Sequence, residues 1–304
     1  MKFSGHETFP VREGWLHKGL KLLGDNASLF SDDQVADHLG VGRNMAKSIK
    51  HWLHVTGLSE LSGSESSGNQ VVARRSKLGE MIWDRDPFFL EIGTWWILHI
   101  NLVSCRDAAS SWYWFFNKFG HDRFDRAVCL EALCRYIGSE GKRVFSTSTI
   151  QRDLGCMLLS YARSIPPVNE DPEDGTDCPF RALGLLSYYK TSGYYQVNQG
   201  VKDIPLDVFC YSMSKAFGET MERAKTTDIR LHDAARQPFG PGKAFCLSEE
   251  TLFELVSTLE SRSFDGQVQI VGSAGDRFIR VRSLSPLDWI DRFYKHTAEV
   301  TYAF

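Results

Sequence analysis

The stretch "DDQVADHLGVGRNMAKSIKHWL", Asp32 to Leu53, constrains the fold of this chain more than any other. A helix-turn-helix needs apolar residues where two helices pack steeply, a small residue at the crossing, and a glycine in the tight turn. Val35 and Leu39 lie four apart on a first helix, Ala36 is the small crossing residue, and Gly40 stands where a positive φ is wanted. Val41, Ala46, Ile49 and Leu53 continue the inner face through a second helix. Ser31 is the expected N-cap, with Asp32 and Asp33 near the positive end of the helix. The expected outer face of the second helix carries Arg43, Asn44, Lys47, Ser48, Lys50 and His51, donor-rich side chains suited to phosphates and base edges.

Downstream, "LSELSGSESSGNQVVARRSKLGEMIW" reads as a polar loop, a short strand "VVARR" and another helix. That is the order of a winged helix, in which Arg74, Arg75 and Lys77 reach toward a phosphate backbone. A winged helix used for protein docking would leave the same basic face merely solvated, and the sequence keeps both readings open. A weaker echo follows at "GKRVFSTSTIQRDLGCMLLSYA". There Ser148 or Thr149 caps a helix that exposes Gln151 and Arg152 and buries Ile150, Leu154, Met157 and Leu158. It reads either as a second DNA-facing module, with Arg152 as a contact, or as an ordinary amphipathic helix.

Charge decides how a nucleic-acid surface would have to be built. The 35 basic and 38 acidic residues nearly cancel to a formal charge of -3, so such a surface must come from local clustering. With 304 residues, 42% of them hydrophobic, the chain has apolar material for two or three domains. The expected divisions are a winged helix-turn-helix domain over 1–86, a helical domain over 87–165 and an α+β domain over 166–304. The fold class is mainly α with small β hairpins: an N-terminal winged helix-turn-helix, then a helical body, then a C-terminal α+β segment. In that last segment "SEETLFELVSTLE" reads as a helix and "QVQIVGSAGDRFIRVRS" as a hairpin.

The most hydrophobic segment, "PFFLEIGTWWILHINLV", is interrupted by Glu91, His99 and Asn101 and falls short of the ~20 apolar residues of a spanning helix, so it reads as a buried helix. The N-terminus lacks the basic and apolar regions of a signal peptide. The seven cysteines are scattered, odd in number and never spaced Cys-x-x-Cys, as expected of reduced, mostly buried thiols in a cytoplasmic protein.

Strand cleavage would need carboxylates for Mg²⁺ or Mn²⁺, or a His base, together with Arg or Lys for the developing charge. The opening string "FSGHETFPVREGW" supplies His6, Glu7 and Arg12, which read as a catalytic cluster or as a polar network that anchors the terminus. On the anchoring reading Ser4 or Thr8 turns the chain, Phe3, Phe9 and Trp15 pack under the first helix, and Pro10 sits at its start. An acidic loop, with Glu170, Asp171, Glu173, Asp174 and Asp177, offers oxygen ligands or is a solvated turn. With Gly175 as the calcium-loop glycine, Pro172 falls on a ligand position and Arg181 replaces the closing Glu, so it is no EF-hand. No Walker loop, Gly-x-Gly-x-x-Gly, Gly-x-Ser-x-Gly or zinc-ligand spacing is present. Cys178, beside Asp177 and Pro179, reads as structural.

The strings "FSGHETFPVREGWL", "ASSWYWFFN", "STIQRDLGCML", "EDGTDCPFRALGLL" and "PGKAFCLSEETL" occur in that order across nearly the whole chain. Together they resemble a bacterial family of uncharacterised-domain proteins encoded in anti-phage defence islands beside DNA phosphorothioation genes, with an SspB-like, DNA-nicking branch. The resemblance implies a DNA-binding component of a phosphorothioation-based defence system that nicks one strand so that partners can insert sulfur. Those partners would be a cysteine desulfurase, an ATP-using sulfur-transfer enzyme and an ATPase. It carries over no catalytic residues, and a non-enzymatic DNA-binding or partner-docking adaptor is the alternative.

Overall fold

The computed structural model describes residues 1–31, 34–63, 71–141, 145–166, 178–222, 224–263, 266–273 and 275–301. The described residues are mainly helical with small sheets. They divide into two compact units, Met1–Trp114 with Phe119–Gln196, and Phe115–Lys118 with Val197–Phe304.

The first unit opens with helix α1 (Trp15–Asp25), which begins at Gly14 in the left-handed region rather than at Pro10. Residues 4–8 instead form a turn whose Ser4, Glu7 and Thr8 have φ of 65°, 48° and 69°. A 3-10 turn over Ala27–Ser31 follows, so Ser31 closes that turn instead of capping a helix, and Asp32 and Asp33 lie outside the described residues. Helix α2 (Val35–Leu39) follows directly after Gln34, since no side chain caps it. It ends at Gly40, left-handed at φ 62°, whose N–H bonds back to the helix while Val41 N–H reaches Ala36 O. Helix α3 (Arg43–Val55) starts immediately beyond, so the expected helix pair and its glycine turn are both present.

The antiparallel strands β1 (Ser59–Gly63) and β2 (Val71–Arg75) come next, pairing Ser59 with Arg75 and Gly63 with Val71. Helix α4 (Lys77–Arg85) is capped by Ser76, whose hydroxyl accepts from Gly79 N–H and donates to Gly57 O. A Cβ on Gly79 would lie 2.1 Å from Leu58 O, so glycine is what lets α4 press onto the start of β1.

Helix α5 (Ile92–Ser104) is buried around nearly its whole circumference, as the "TWWILHINLV" string implies. Helix α6 (Ser110–Asn117) and strand β3 (Arg123–Phe124) follow, then helix α7 (Arg126–Glu140), capped by Asp125. Helix α8 (Thr147–Tyr161) is capped by Ser146 instead of Ser148 or Thr149. It buries Ile150, Leu154, Met157 and Leu158 as expected, and it also buries Asp153.

Strands β4 (Ala162–Ile165), β5 (Leu186–Tyr189) and β6 (Tyr194–Val197) join β3 in a sheet of order β3-β6-β5-β4, with β4 and β5 parallel. The 3-10 segment Pro179–Leu183 delivers Phe180 into the middle of the unit, among Trp52, Trp95, His99 and Tyr161 at centroid distances of 5.3–6.5 Å. The acidic residues Glu170, Asp171, Glu173, Asp174 and Asp177 lie outside the described residues.

In the second unit, helix α9 (Leu206–Met221) packs on the last helix and is kinked at Phe217. Strand β7 (Thr226–Arg230), helix α10 (Leu231–Arg236), the short helix α11 (Pro241–Ala244) and helix α12 (Glu249–Arg262, capped by Ser248) lead to the hairpin β8 (Val268–Ser273) and β9 (Asp276–Arg282). The expected helix and hairpin of this region are therefore present. The sheet order is β7-β9-β8, all antiparallel, and the cross-strand pair Asp228 and Arg280 is bidentate at 2.7 and 2.8 Å. Helix α13 (Pro286–Thr301) closes the unit. From it His296 Nδ1 meets the buried Asp207 of α9 at 2.7 Å.

Among the described residues no helix is long and apolar enough to cross a membrane. All seven cysteines are free, with Cys129, Cys156, Cys178 and Cys210 buried.

Candidate nucleic-acid interface

Periodicity gives helix α3 one buried face, but in the structure it has two. Ala46, Ile49 and Leu53 form the inner face, and at Gly19 a Cβ would strike Leu53 and Ile49, so α1 crosses α3 at close range. The N-terminal segment covers a second face. Phe9 O accepts from Trp52 Nε1 at 3.0 Å and from Ser48 Oγ at 3.4 Å, and the His51 ring packs on His6 and Trp52.

Ser48 (0% exposed) and His51 (8%) are therefore buried, contrary to the outer-face expectation. Burial, with help from the neighbouring His6, Lys2 and His54, lowers the His51 pKa to about 3, so its ring is neutral near pH 7. Lys50 is half-buried, its ammonium 5.5 Å from the Phe30 ring centroid. Of the residues expected on its outer face, Arg43, Asn44 and Lys47 remain open.

The basic residues after the hairpin also separate. Arg75 is fixed inside the unit: Nε donates to Leu20 O at 2.8 Å, Nη1 to Glu80 at 3.1 Å, and the guanidinium lies 4.2 Å from the Trp83 ring centroid. Its side chain is 8% exposed and packs where a Cβ on Gly24 would be, so it braces β2 against α1 and has no reach toward a backbone outside. Arg74 is exposed and paired with Glu60 at 2.9 Å, and Lys77 is exposed. Arg152 is exposed on α8, its Nε donating to Ser148 O.

His6, Glu7 and Arg12 are each committed to a different neighbour. Glu7 is 3.9 Å from Lys47, and Arg12 lies over the rings of Phe9 and Trp15. His6 is 1% exposed; its Nδ1 accepts from Thr8 N–H at 3.0 Å, which leaves the Nε2 proton for Asp153 Oδ1 at 2.8 Å. Asp153, buried, also accepts from Ser4 N–H and Ser111 Oγ, each at 2.5 Å. The turn with positive φ at Ser4, Glu7 and Thr8 is thus held by one carboxylate on α8. Sequence reasoning missed Asp153, because it sits inside an amphipathic pattern where an acid normally faces water.

Among the described residues no three His, Cys, Asp or Glu side chains are grouped to hold a metal ion.

A family model described as Protein of unknown function (DUF4007) matches residues 3–294. Two solved structures resemble the chain: an SspB crystal structure, 25% identical, and a magnesium ion-bound SspB crystal structure, 24% identical. In each case the TM-score is 0.81, with 97% of this chain and 88% of the other covered. No curated protein matches.

Proposed function

The chain belongs to the family described as Protein of unknown function (DUF4007), and from that premise we propose that it is the DNA-binding component of a phosphorothioation system. The likeness to SspB over nearly the whole chain supports the place in such a system. What carries the DNA assignment is the open row Arg43, Asn44 and Lys47 on α3, three donor side chains on a helix whose Ala46, Ser48, Ile49, His51, Trp52 and Leu53 are buried. In this reading α1 to α3, the β1–β2 hairpin and α4 are a winged helix-turn-helix, α3 is the recognition helix, and Arg74 and Lys77 flank it on the phosphate backbone. Ser48, His51 and Arg75 take no part in DNA contact.

Strand nicking is the activity carried by the family resemblance. The opening residues do not support it as its seat, because His6 is sealed from solvent and fully bonded. That burial favours the second reading, a DNA-binding adaptor that leaves the chemistry to a cysteine desulfurase, a sulfur-transfer enzyme and an ATPase. Supercoiled plasmid with Mg²⁺ or Mn²⁺ separates the two: open-circular product assigns nicking to this chain, and intact plasmid leaves the adaptor. A gel shift with duplex DNA tests the common ground. Arg43→Ala with Lys47→Ala is expected to weaken binding by about tenfold or more, and unchanged affinity would remove α3 as the DNA-contacting helix.

A further inference from the structure

A cavity of about 460 Å³ opens in the first unit between α8, the start of α7 and the face of the β5–β6 strands. Arg126, Arg152, Arg181, Tyr188, Tyr195 and Thr8 line it, three cations with no carboxylate among its lining residues. Its size falls in the ordinary range for small-molecule sites.

The arginines are placed rather than loosely dangling. Arg126 spends Nη2 on Gln151 O at 3.2 Å, and its guanidinium lies across α8 where Gly155 has no side chain: a Cβ there would be 2.6 Å from Nη2. Arg152 spends Nε on Ser148 O at 3.2 Å. Neither is paired with a carboxylate among the described residues, so most of the five N–H donors on each guanidinium are left for an anion. The opposite wall is aromatic. The rings of Tyr188 and Tyr195 are 4.7 Å apart, and Tyr195 stacks on Phe124 at 5.5 Å and 11°. Beside the cavity, Arg123 lies 4.8 Å from the centroid of the exposed Tyr194, so the arginine and tyrosine pairing continues along the strand.

A fork of guanidiniums facing tyrosine rings matches a phosphate joined to a base better than a bare anion, which would leave the aromatic wall without a purpose. We propose that this cavity binds one nucleotide of a single DNA strand, with its phosphate on Arg126 and Arg152 and its base against Tyr188 and Tyr195. No residue of α3 lines the pocket. The proposal rests on the preceding reading only in taking DNA as the nucleic acid.

Fluorescence anisotropy with a labelled thymidine dodecamer and with an abasic strand of equal length tests it. The thymidine strand is expected to bind about tenfold more tightly than the abasic one. Arg126→Ala with Arg152→Ala is expected to weaken thymidine-strand binding about tenfold and to flatten its salt dependence by about 0.7 for each phosphate no longer neutralised. Gly155→Ala, which suits a helix and keeps the fold, is expected to displace the Arg126 guanidinium and weaken binding several-fold. Arg43→Ala with Lys47→Ala should leave single-strand affinity unchanged while duplex binding falls, so failure of either site shows separately. Equal affinity for the abasic strand would overturn the proposal. So would unaltered binding in the Arg126 and Arg152 double variant or in Gly155→Ala.

Discussion

Replacing Asp153 by alanine removes the acceptor for three donors that reach it from distant parts of the chain: Ser4 N–H, His6 Nε2–H and Ser111 Oγ–H. A buried donor left without a partner costs about 1–3 kcal/mol, and the site is sealed, so water cannot replace the carboxylate without rearrangement. Allowing for some relaxation of the N-terminal turn, the expected loss is about 3–6 kcal/mol, a large part of the ~5–15 kcal/mol typical of a folded domain. The turn offsets part of that cost, because Ser4, Glu7 and Thr8 hold left-handed backbone conformations that can relax once the bonds enforcing them are gone.

Urea unfolding followed by tryptophan fluorescence is the assay, since Trp52 and Trp112 lie 6.4 and 5.4 Å from the His6 ring and report on the same spot. His6→Ala and the double variant complete a cycle, and a coupling of about 1–3 kcal/mol between the two positions is expected. A loss below about 1 kcal/mol for Asp153→Ala, or strict additivity with His6→Ala, would refute the view that this knot anchors the terminus.

Two further expectations follow from where basic residues lie. His51, with its pKa lowered to about 3 in the fold against 6.5 when exposed, takes up its proton more readily in the unfolded chain. Between those values the unfolded state holds more protons, so stability rises with pH across that window, is complete above about 6.5 and is lost as the pH falls. Unfolding free energy measured from about pH 4 to pH 7 should therefore slope less in His51→Phe than in the wild type, and parallel curves would contradict the assignment. Arg75→Ala should lower stability by about 2–3 kcal/mol, because Leu20 O, Glu80 and Trp83 are left without the guanidinium, while duplex affinity stays unchanged. The reverse outcome, a stable protein that binds DNA poorly, would return Arg75 to the interface.

The helix pair was legible because it is local. Val35, Ala36, Leu39, Gly40, Ala46, Ile49 and Leu53 encode packing within a few turns of chain, and that is the range periodicity reads. Ser48 and His51 were misplaced because α3 is covered a second time, by Phe9 and His6 from a distant part of the chain, and a polar residue buried under such a segment leaves no periodic mark. Arg75 was misread for the same reason, since a strand-end arginine looks exposed until α1 supplies the Leu20 carbonyl and the bare surface of Gly24.

Asp153 gathers partners as far as 149 residues apart in sequence, which no spacing rule foretells. The arginine and tyrosine cavity had one visible signal, the doubled tyrosines of "SYYKTSGYYQV", but Arg126 and Arg152, which face them, come from α7 and α8. The family strings, by contrast, could be read from end to end, and the chain-long likeness to SspB accords with them.

If the open row of α3 holds duplex DNA by its phosphates, as proposed, the salt dependence of duplex affinity will report it. Each phosphate contact contributes a slope of about 0.9 in log affinity against log salt. The Arg43→Ala, Lys47→Ala protein is therefore predicted to show a slope shallower by about 1.8 than the wild type. Identical slopes, with both proteins folded, would contradict it.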